Sequence, residues 1–287
     1  MATLAATGVL RRSGGTGAAA DRVDSAGRSR RRLGPGKQIP FGFALGPGLV
    51  IAIWVIGAAV GAFDPETLPA PWTVAQTAGD LIADGRLQSN LWTSLQRAVV
   101  GLALGVGIGV VLALVAGLSR LGEAVIDGPV QIKRAIPTLA LIPLFIVWFG
   151  IGEEMKLIVI TLSVLVPVYI NTHAYLRSVD ARYVELAETV RLSRADFVRK
   201  IALPGALPGF FIGLRLAVTI SWLALVVVEQ VNATSGIGYL MTQARTYGQI
   251  DVIVVGLVIY GLLGLFGDVA VRAVERKALS WRQTLGD

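Results

Sequence analysis

Ionisable side chains inside long apolar runs are the residues of this sequence whose type and position most suggest function. Such groups are costly in a lipid environment and mark solute pathways by default. Arg215 lies ten residues into an apolar run that begins at 205, about 15 Å along a helix, where its guanidinium could attract an anion. We favour an ion pair or hydrogen bond between helices for Arg215. Glu229 and Asp268 stand near the ends of such runs, where interfacial solvation would explain them.

The composition argues against several kinds of catalytic site. The 287 residues include no cysteine and one histidine, which excludes a thiolate metal site and a cluster of imidazole ligands. His173 is predicted to be a packing or interface residue, because no second member of a proton relay is close in sequence. No G-x-x-x-x-G-K-[ST] phosphate loop occurs. We therefore expect no metal or thiol chemistry and no bound cofactor on this chain, and we expect the energy source to be another chain.

The polar stretch 177–204 is the most informative segment of the sequence. Four apolar residues repeat at helical spacing and predict a short amphipathic helix: Tyr183, Leu186, Ala187 and Val190. The run Ser193-Arg194-Ala195-Asp196 has the pattern of a capping box and predicts the start of a second helix. Pro204 is predicted to end that helix. The segment thus predicts two short helices with an apolar stripe that needs a partner.

Three interpretations of this helix pair are open. A DNA-binding helix-turn-helix is disfavoured. The four acidic residues beside the six basic ones weaken attraction to phosphate, and a membrane lies a few residues away. A structural pair lying on the membrane surface is the second, and docking onto a cytoplasmic protein is the third.

The elements that position these residues are apolar helices. The chain is 54% hydrophobic and 16% charged, with a mean hydropathy of +0.67, whereas soluble proteins average about 25% charged residues. Six apolar runs are long enough to span a bilayer: 40–63, 94–117, 134–152, 156–176, 205–228 and 251–272. The sequence therefore predicts an all-α integral membrane protein with six transmembrane helices.

Charge distribution predicts the orientation. If the amino-terminal tail is inside, the inner segments hold 21 Lys and Arg and the outer segments hold 3, which follows the positive-inside rule. The inner segments are 1–39, 118–134, 177–204 and 272–287, and the outer segments are 64–90, 150–156 and 229–250. Both termini are then cytoplasmic. Residues 1–39 are basic and rich in Gly, Ala and Ser, and they are predicted to form a disordered tail before the membrane domain 40–287.

The spacing in the polar segment resembles a known family. Glu185-Leu186-Ala187, Arg191 and Ile201-Ala202-Leu203-Pro204 resemble the EAA loop of ABC importer permeases, which reads E-A-A, three residues, G, nine residues, I-x-L-P. PTLALIPLFIVWFGIGE from Pro137, the Asn171-Thr172 pair, PGALPGFFIGLRLA from Pro204 and the stretch Thr234 to Tyr239 look like the subfamily that imports nitrate, aliphatic sulfonates and taurine. The resemblance covers about residues 90–280.

The resemblance implies a fold and a set of partners. It implies the type I importer fold, in which this loop forms a coupling helix pair that sits in a groove of a separate cytoplasmic ATPase, where ATP and Mg²⁺ are bound. An extracytoplasmic solute-binding protein and a second permease chain, forming a homodimer, are the other expected partners, besides membrane lipid. We expect no nucleic acid partner. The expected location is a prokaryotic plasma membrane.

The resemblance also assigns roles to residues. The ATPase-coupling set is Glu185, Leu186, Ala187, Arg191, Ile201, Leu203 and Pro204. Leu186 replaces the usual Ala, and Arg191 stands where the family has Gly. Because Gly tolerates positive φ, either the turn is reached here with negative φ or the loop fits its ATPase differently.

A second set of residues is assigned to the translocation pathway. Pro137 and Pro143 are predicted to kink or break the third run, and the freed carbonyls would face protein or a water-filled path. Asn171 and Arg215 join them within the membrane. Ser235, Gly236 and Gly238 lie in a polar, flexible outer loop, which by resemblance is near the external gate where a binding protein docks.

The sequence thus predicts a permease subunit of an ATP-driven importer for a small oxyanion, with an aliphatic sulfonate, taurine or nitrate as the solute. The same machinery importing another solute, such as a pyrimidine vitamin precursor, is one alternative. An ion-driven secondary transporter is disfavoured, because no internal repeat is visible. A non-transporting membrane scaffold is the last alternative.

Overall fold

The computed structural model describes residues 42–281, which consist of helices and connecting turns with no strand among them. This agrees with the prediction of an all-α protein. The predicted tail 1–39 lies outside the described residues, as do residues 282–287. Eleven α-helices follow one another along the described chain: α1 Gly42–Ala59, α2 Pro71–Ala83, α3 Arg86–Leu118, α4 Arg120–Ala135, α5 Ile142–Phe149, α6 Glu153–Arg177, α7 Ala181–Thr189, α8 Arg194–Phe197, α9 Leu203–Asn232, α10 Ile237–Thr246 and α11 Ile250–Ala278.

Helix α6 is the central helix and packs most extensively on α3 and α9. Glycines on both neighbours allow the close approach. A Cβ on Gly105 of α3 would lie 2.7 Å from the Thr161 carbonyl oxygen, and one on Gly213 of α9 would lie 2.8 Å from that of Pro167. Small residues at a helix interface let two backbones approach. This glycine seam therefore joins helices of one chain.

The number of spans remains a prediction. Within residues 42–281, four helical stretches are long and apolar enough to cross a membrane: α3, α6, the run 194–231 and α11. A fifth span arises if the bent pair formed by α4 and residues 138–149 crosses as one unit. The apolar part of α1, Leu45–Ala59, is shorter. The first predicted span begins at 40, outside the described residues.

The third apolar run is not one helix, in contrast to the predicted span 134–152. Helix α4 ends at Ala135, and a 3-10 turn at Thr138–Leu141 leads into α5. The stretch 138–149 makes an angle of 86° with α4. Pro137 disfavours helical geometry at Ile136, whose φ and ψ are −92° and 118°. Pro143 lies in the first turn of α5, where its missing N–H costs no hydrogen bond. The predicted break is confirmed at Pro137, whereas Pro143 lies within the continuous helical stretch 138–149 and does not interrupt it.

The predicted inner loop 118–134 is also helical. Three contacts follow α4 along α6: Glu123 pairs with Arg177, Asp127 accepts a hydrogen bond from the Tyr169 hydroxyl at 3.1 Å, and Lys133 donates to the Leu162 carbonyl at 2.6 Å. Because residue numbers rise along α4 as they fall along α6, α4 runs from the carboxyl end of α6 to its middle. We call that end of the bundle the Arg177 end and the opposite end, where α6 begins, the Glu153 end.

Pro204 does not end the second short helix, contrary to the prediction. The helix that starts at Arg194 continues to Val231, with a π-helical turn at Val198–Ala202 immediately before the proline. A proline ring clashes with the carbonyl four residues earlier, and a π turn widens the helix at that point. The wider turn therefore lets the chain keep its direction through Pro204.

Candidate functional site

Helix α7 is attached to the rest of the protein through one face. The Asp180 carboxylate caps its first turn by accepting a hydrogen bond from the Arg182 backbone N–H at 2.9 Å. Of its nine residues only Ala187 is buried. Glu185 stands two residues earlier, about 200° around the helix axis, so it lies on the side that faces away from the protein. Leu186 is 56% exposed, which leaves apolar surface uncovered beside Glu185.

Arg191 adopts φ 51°, the single positive φ of a non-glycine residue among those the structure describes. Its N–H donates to the Glu188 carbonyl, and the Leu192 N–H donates to the Ala187 carbonyl at 2.8 Å. These two bonds form a Schellman motif, which closes a helix with a left-handed residue that is usually glycine. The alternative in which this turn is reached with negative φ is therefore wrong.

The second short helix begins as predicted. The Ser193 hydroxyl accepts a hydrogen bond from the Asp196 N–H at 3.1 Å and donates to the Asp196 carboxylate at 2.8 Å. Lys200 pairs with the same carboxylate at 2.9 Å. Ser193 and Asp196 thus cap the helix start through local contacts, and Arg194 joins it to the end of α3 by donating to the Leu118 carbonyl at 2.9 Å.

The remaining residues of the coupling set connect this start to α9. Ile201 lies half-buried in the π turn, Leu203 is 38% exposed, and Pro204 is half-buried in the first turn of α9. Ala202 is buried in an apolar cluster with Leu176, at the end of α6. The structure therefore brings the predicted coupling residues together at the Arg177 end, around two turns and the start of α9.

The Glu153 end of the bundle contains a cluster of four charged residues, which we call the ionic cluster: Arg97, Glu153, Lys156 and Glu229. Arg97 pairs with Glu153 at 2.6 Å and with Glu229 at 2.7 Å, and Lys156 pairs with Glu153 at 2.8 Å. Two positive and two negative charges balance. Buried charges require such pairing and hydrogen bonding, and Arg97, Lys156 and Glu229 are all buried.

Glu229 is 1% exposed, so the expectation of interfacial solvation is wrong. Its carboxylate accepts hydrogen bonds from the Ser94 hydroxyl at 2.9 Å, the Gly238 N–H at 2.9 Å and the Tyr260 hydroxyl at 3.0 Å. These donors lie on α3, α10 and α11. Glu229 therefore joins three helices to α9.

The loop after α9 is fixed by the same cluster, in contrast to the predicted flexible loop. Arg97 donates to the Ser235 carbonyl at 2.6 Å and to its hydroxyl at 3.2 Å. The Gly236 N–H donates to the Asn90 side chain at 2.8 Å, and Gly236 has φ 114°. The three predicted gate residues, Ser235, Gly236 and Gly238, thus contact the ionic cluster or its neighbours.

Sequence analysis missed Arg97, Glu153 and Lys156. Arg97 is an ionisable residue three positions inside the predicted span 94–117, and that position alone marks a functional candidate. The signal was present, but the partners of Arg97 come from two other helices. Only the packing of α3, α6 and α9 identifies them.

Arg215 pairs with Glu275 at 2.5 Å, and its Nε lies 3.6 Å from the Asp268 carboxylate. Asp268 also accepts a hydrogen bond from Arg272 at 2.6 Å. The favoured interpretation of Arg215, an interhelical ion pair, is confirmed, and solvation alone does not explain Asp268. Glu275 lies beyond the predicted span 251–272, so this partner of Arg215 comes from the last turns of α11. The helix that carries Arg215 begins earlier than predicted, at Arg194.

The other predicted pathway residues are scattered. Pro137 lines a cleft of about 290 Å³ between α4, α6 and α9. Pro143 lies at the start of α5. Asn171 donates to the Pro167 carbonyl at 2.8 Å, within its own helix. His173 stacks on Tyr169 with ring centroids 5.3 Å apart, as a packing residue does.

No group of three or more His, Cys, Asp or Glu residues able to hold a metal occurs within the part of the chain that the structure describes. Long apolar helices, an exposed helix pair at one end and an ordered charged loop at the other are features of a membrane transport subunit.

Comparison with known proteins identifies the class more closely. The family described as binding-protein-dependent transport system inner membrane component matches residues 105–280. The aliphatic sulfonates transport permease protein SsuC of Bacillus subtilis (strain 168) is 39% identical over 83% of this chain and 86% of that protein. Its namesake in Escherichia coli (strain K12) is 41% identical over 81% of this chain and 88% of that protein.

Two further matches are more distant. The taurine transport system permease protein TauC of Escherichia coli (strain K12) is 29% identical over 81% of this chain and 86% of that protein. A solved structure of an amino acid ABC transporter with histidines has a TM-score of 0.59 and 17% identity, and covers 70% of this chain and 97% of that chain. At that identity the likeness establishes the fold alone.

The chain belongs to the family of binding-protein-dependent transport system inner membrane components. It is a membrane-embedded permease of an ATP-driven import system.

Proposed function

We propose that this permease forms the translocation path for an aliphatic sulfonate or a similar small oxyanion such as taurine or nitrate. Two relatives named for aliphatic sulfonates transport match more than four fifths of the chain at 39% and 41% identity, which supports this substrate class. The relative named for taurine transport lies further away. All three names describe solutes with a sulfonate group, so the shared chemistry is a sulfonate anion.

Energy is supplied in this proposal by separate cytoplasmic ATPase chains, which bind ATP and Mg²⁺ and dock on α7. The observation that carries this step is the exposure of α7: its single buried residue is Ala187, while Leu186 beside Glu185 is 56% exposed. Apolar surface of this kind marks a protein contact outside the membrane. Glu185 lies on the side opposite Ala187, where a docked chain would contact it.

The proposed mechanism transmits movement through a continuous helix. ATP binding closes the ATPase pair and displaces α7, and the run 194–231 conveys the displacement along α9. The run has no break at Pro204, which favours rigid-body transmission over bending. Glu229 lies near the far end of α9 and contacts α3, α10 and α11. A movement of α9 would therefore displace these helices at the Glu153 end.

The remaining partners and the orientation follow from the same proposal. The Arg177 end is cytoplasmic, as are both termini, and the Glu153 end faces outward in a prokaryotic plasma membrane. The ordered loop at Ser235, Gly236 and Gly238 is the proposed docking region for a solute-binding protein. A second copy of this chain completes the path.

Co-purification from native membranes tests the ATPase docking. A tagged wild-type chain is expected to bring an ATPase chain with it after gentle detergent extraction, and Glu185→Lys is expected to deplete that chain. Glu66→Lys reverses an exposed charge in the connection before α2 and serves as the matched control that retains the partner. Equal recovery of the ATPase with Glu185→Lys would contradict docking at α7.

Uptake measurements test the solute class. Cells that lack sulfonate import and carry the complete transport system are expected to accumulate a labelled alkanesulfonate, with nitrate and an uncharged alkyl alcohol compared in parallel. Uptake of none of the anions, with the system assembled in the membrane, would contradict an oxyanion substrate.

A further inference from the structure

A cleft of about 290 Å³ lies where the bent pair meets the middle of the bundle. Its walls come from the end of α4 and the following turn, from α6 and from α9. The volume is close to the lower limit, about 300 Å³, of sites that hold small ligands. Six of the residues that line it carry the argument: Lys133, Arg134, Pro137, Val166, Ile220 and Leu223.

Lys133 is the charged group held inside this cleft. Its ammonium donates hydrogen bonds to the Thr138 hydroxyl and to the Leu162 carbonyl, both at 2.6 Å. Both acceptors are neutral, and an ammonium has three protons to donate. Within residues 45–281 no carboxylate pairs with Lys133 or with Arg134. The positive charge in the cleft is therefore not compensated by the described part of the chain.

The contact with Leu162 fixes the depth of this charge. Leu162 is the tenth residue of the 25-residue α6, about 14 Å from the start of that helix and about 22 Å from its end. The Lys133 ammonium is thus near the middle of the bundle. Three other cations of the long helices are paired: Arg97 with Glu229, Lys156 with Glu153 and Arg215 with Glu275. An unpaired cation at such depth marks a solute path.

The walls of the cleft suggest the shape of its ligand. Lys133 and Arg134 lie on one side, whereas Val166, Ile220 and Leu223 contribute apolar side chains from α6 and α9. A ligand that pairs with the cations and packs against the apolar side chains has an anionic head and a short alkyl chain. Helix α4 ends before the bend at Pro137, where Lys133 contacts the middle of α6, and discontinuous helices near the midplane form solute sites in other transporters.

We infer that this cleft binds the solute during translocation, with Lys133 as the counter-ion of a sulfonate head group and Ile220 and Leu223 against its alkyl chain. The inference rests on the proposed function, because it takes the sulfonate class from there. It adds a selectivity site within the permease itself. Lys133 binds the solute here rather than merely joining α4 to α6.

Direct binding tests the inference. The permease is placed in nanodiscs of zwitterionic lipid, and the affinity for hexanesulfonate is measured by calorimetry, with hexanol as the uncharged probe. Lys133→Gln is expected to weaken hexanesulfonate binding by about tenfold or more, because a charged partner is lost. Lys133→Arg keeps the charge and is expected to restore most of the affinity. Lys277→Gln removes an exposed lysine near the end of α11 and is expected to change nothing.

Anionic lipid is a second possible source of a negative charge for Lys133, and nanodiscs of anionic lipid separate it from the solute. If lipid were the natural partner, anionic nanodiscs would abolish hexanesulfonate binding and the wild type would bind no solute in native-like membranes, which would overturn the inference. If Lys133→Gln fails to accumulate, Leu223→Glu carries the test, since a carboxylate in the cleft would compete with the sulfonate and is expected to weaken binding similarly.

The outcomes for the site and for the proposed function differ. Wild-type uptake of sulfonate with unchanged uptake and binding in Lys133→Gln would overturn the cleft and leave the proposed function intact. Lys133-dependent binding of hexanesulfonate without sulfonate uptake by the complete transport system would support the cleft and contradict the proposed substrate.

Discussion

The two ends of the helix bundle hold their functional residues in opposite ways. At the Glu153 end, Arg97 and Glu229 are buried, their charges are balanced, and their partners come from several helices. At the Arg177 end, α7 is attached through Ala187, and its hydrogen bonds are local: the Asp180 cap and the Schellman turn at Arg191. The first end is complete within one chain, whereas the second exposes apolar surface.

This difference separates long-range from local stabilisation. An ion pair between distant segments orders every helix it joins, so its loss affects the whole bundle. A cap or a turn orders only the few residues around it. The Glu153 end is therefore expected to control global stability and the α7 segment to control only its own folding, which leaves α7 free to adapt to a docked chain.

The largest expected effect comes from Glu229→Gln. It removes a buried charge, leaves Arg97 with one carboxylate partner and turns amide hydrogens toward donors such as the Tyr260 hydroxyl. We expect a loss of about 3 kcal/mol in stability, in the range for breaking a buried ion pair, seen as a lower midpoint of thermal unfolding in detergent. Arg182→Gln breaks an exposed pair with Asp180 and is expected to change the midpoint little. Equal effects of the two variants would remove the contrast between the ends.

Gly236→Ala is expected to cause the second-largest loss of stability. Gly236 has φ 114°, and a Cβ there would meet the Glu229 carboxylate. The backbone conformation alone is unfavourable for alanine by about 1–3 kcal/mol. Thermal unfolding measures the loss, and Gly248→Ala, at φ 70° with no atom within 4 Å of an added Cβ, is the control for positive φ alone. A smaller loss at Gly236 than at Gly248 would show that the ionic cluster does not depend on this loop.

Ser193→Ala tests the local character of the Arg177 end. The change removes the side chain that caps the Asp196 N–H, which costs about 1 kcal/mol at a helix start. We expect faster proteolysis within residues 178–202 and a nearly constant unfolding midpoint. A drop in the midpoint as large as that of Glu229→Gln would show that this segment supports the whole bundle.

Arg191→Gly is expected to change stability least, and it is expected to stabilise the α7 segment rather than destabilise it. Left-handed backbone costs a non-glycine residue on the order of 1–2 kcal/mol, and the greater freedom of glycine in the unfolded chain offsets about 0.4–1 kcal/mol of this. The net result is slower proteolysis of the α7 segment by a modest factor. Faster proteolysis would indicate that the Arg191 side chain makes a stabilising contact.

Local patterns in the sequence predicted local structure well. The spacing from Tyr183 to Val190 predicted α7, and the Ser193 capping box predicted the start of α8, because both depend on residues within a few positions of one another. Pro137 predicted the break in the third apolar run for the same reason. The prediction at Pro204 was wrong because a π turn supplied a way for the helix to continue.

Such local patterns could not predict where charged side chains lie along the helix bundle. The depth of Arg215 can be read from the sequence only if the start of its helix is known, and the helix begins eleven residues earlier than the predicted span. Lys133 was counted with an inner loop, whereas its contact with Leu162 places it near the middle of α6. Both errors came from taking the boundaries of apolar runs as the boundaries of helices.

By itself the sequence determined the class of protein, the helical architecture and the family, because hydropathy, turn chemistry and motif spacing are properties of short stretches of chain. Tertiary structure alone decided which charges meet: Arg97 with Glu229 across 132 positions, Arg215 with Glu275 across 60, and Lys133 with no carboxylate among the described residues. Electrostatic energy depends on distance in space and on burial, and both quantities are set only when α3, α6 and α9 pack together.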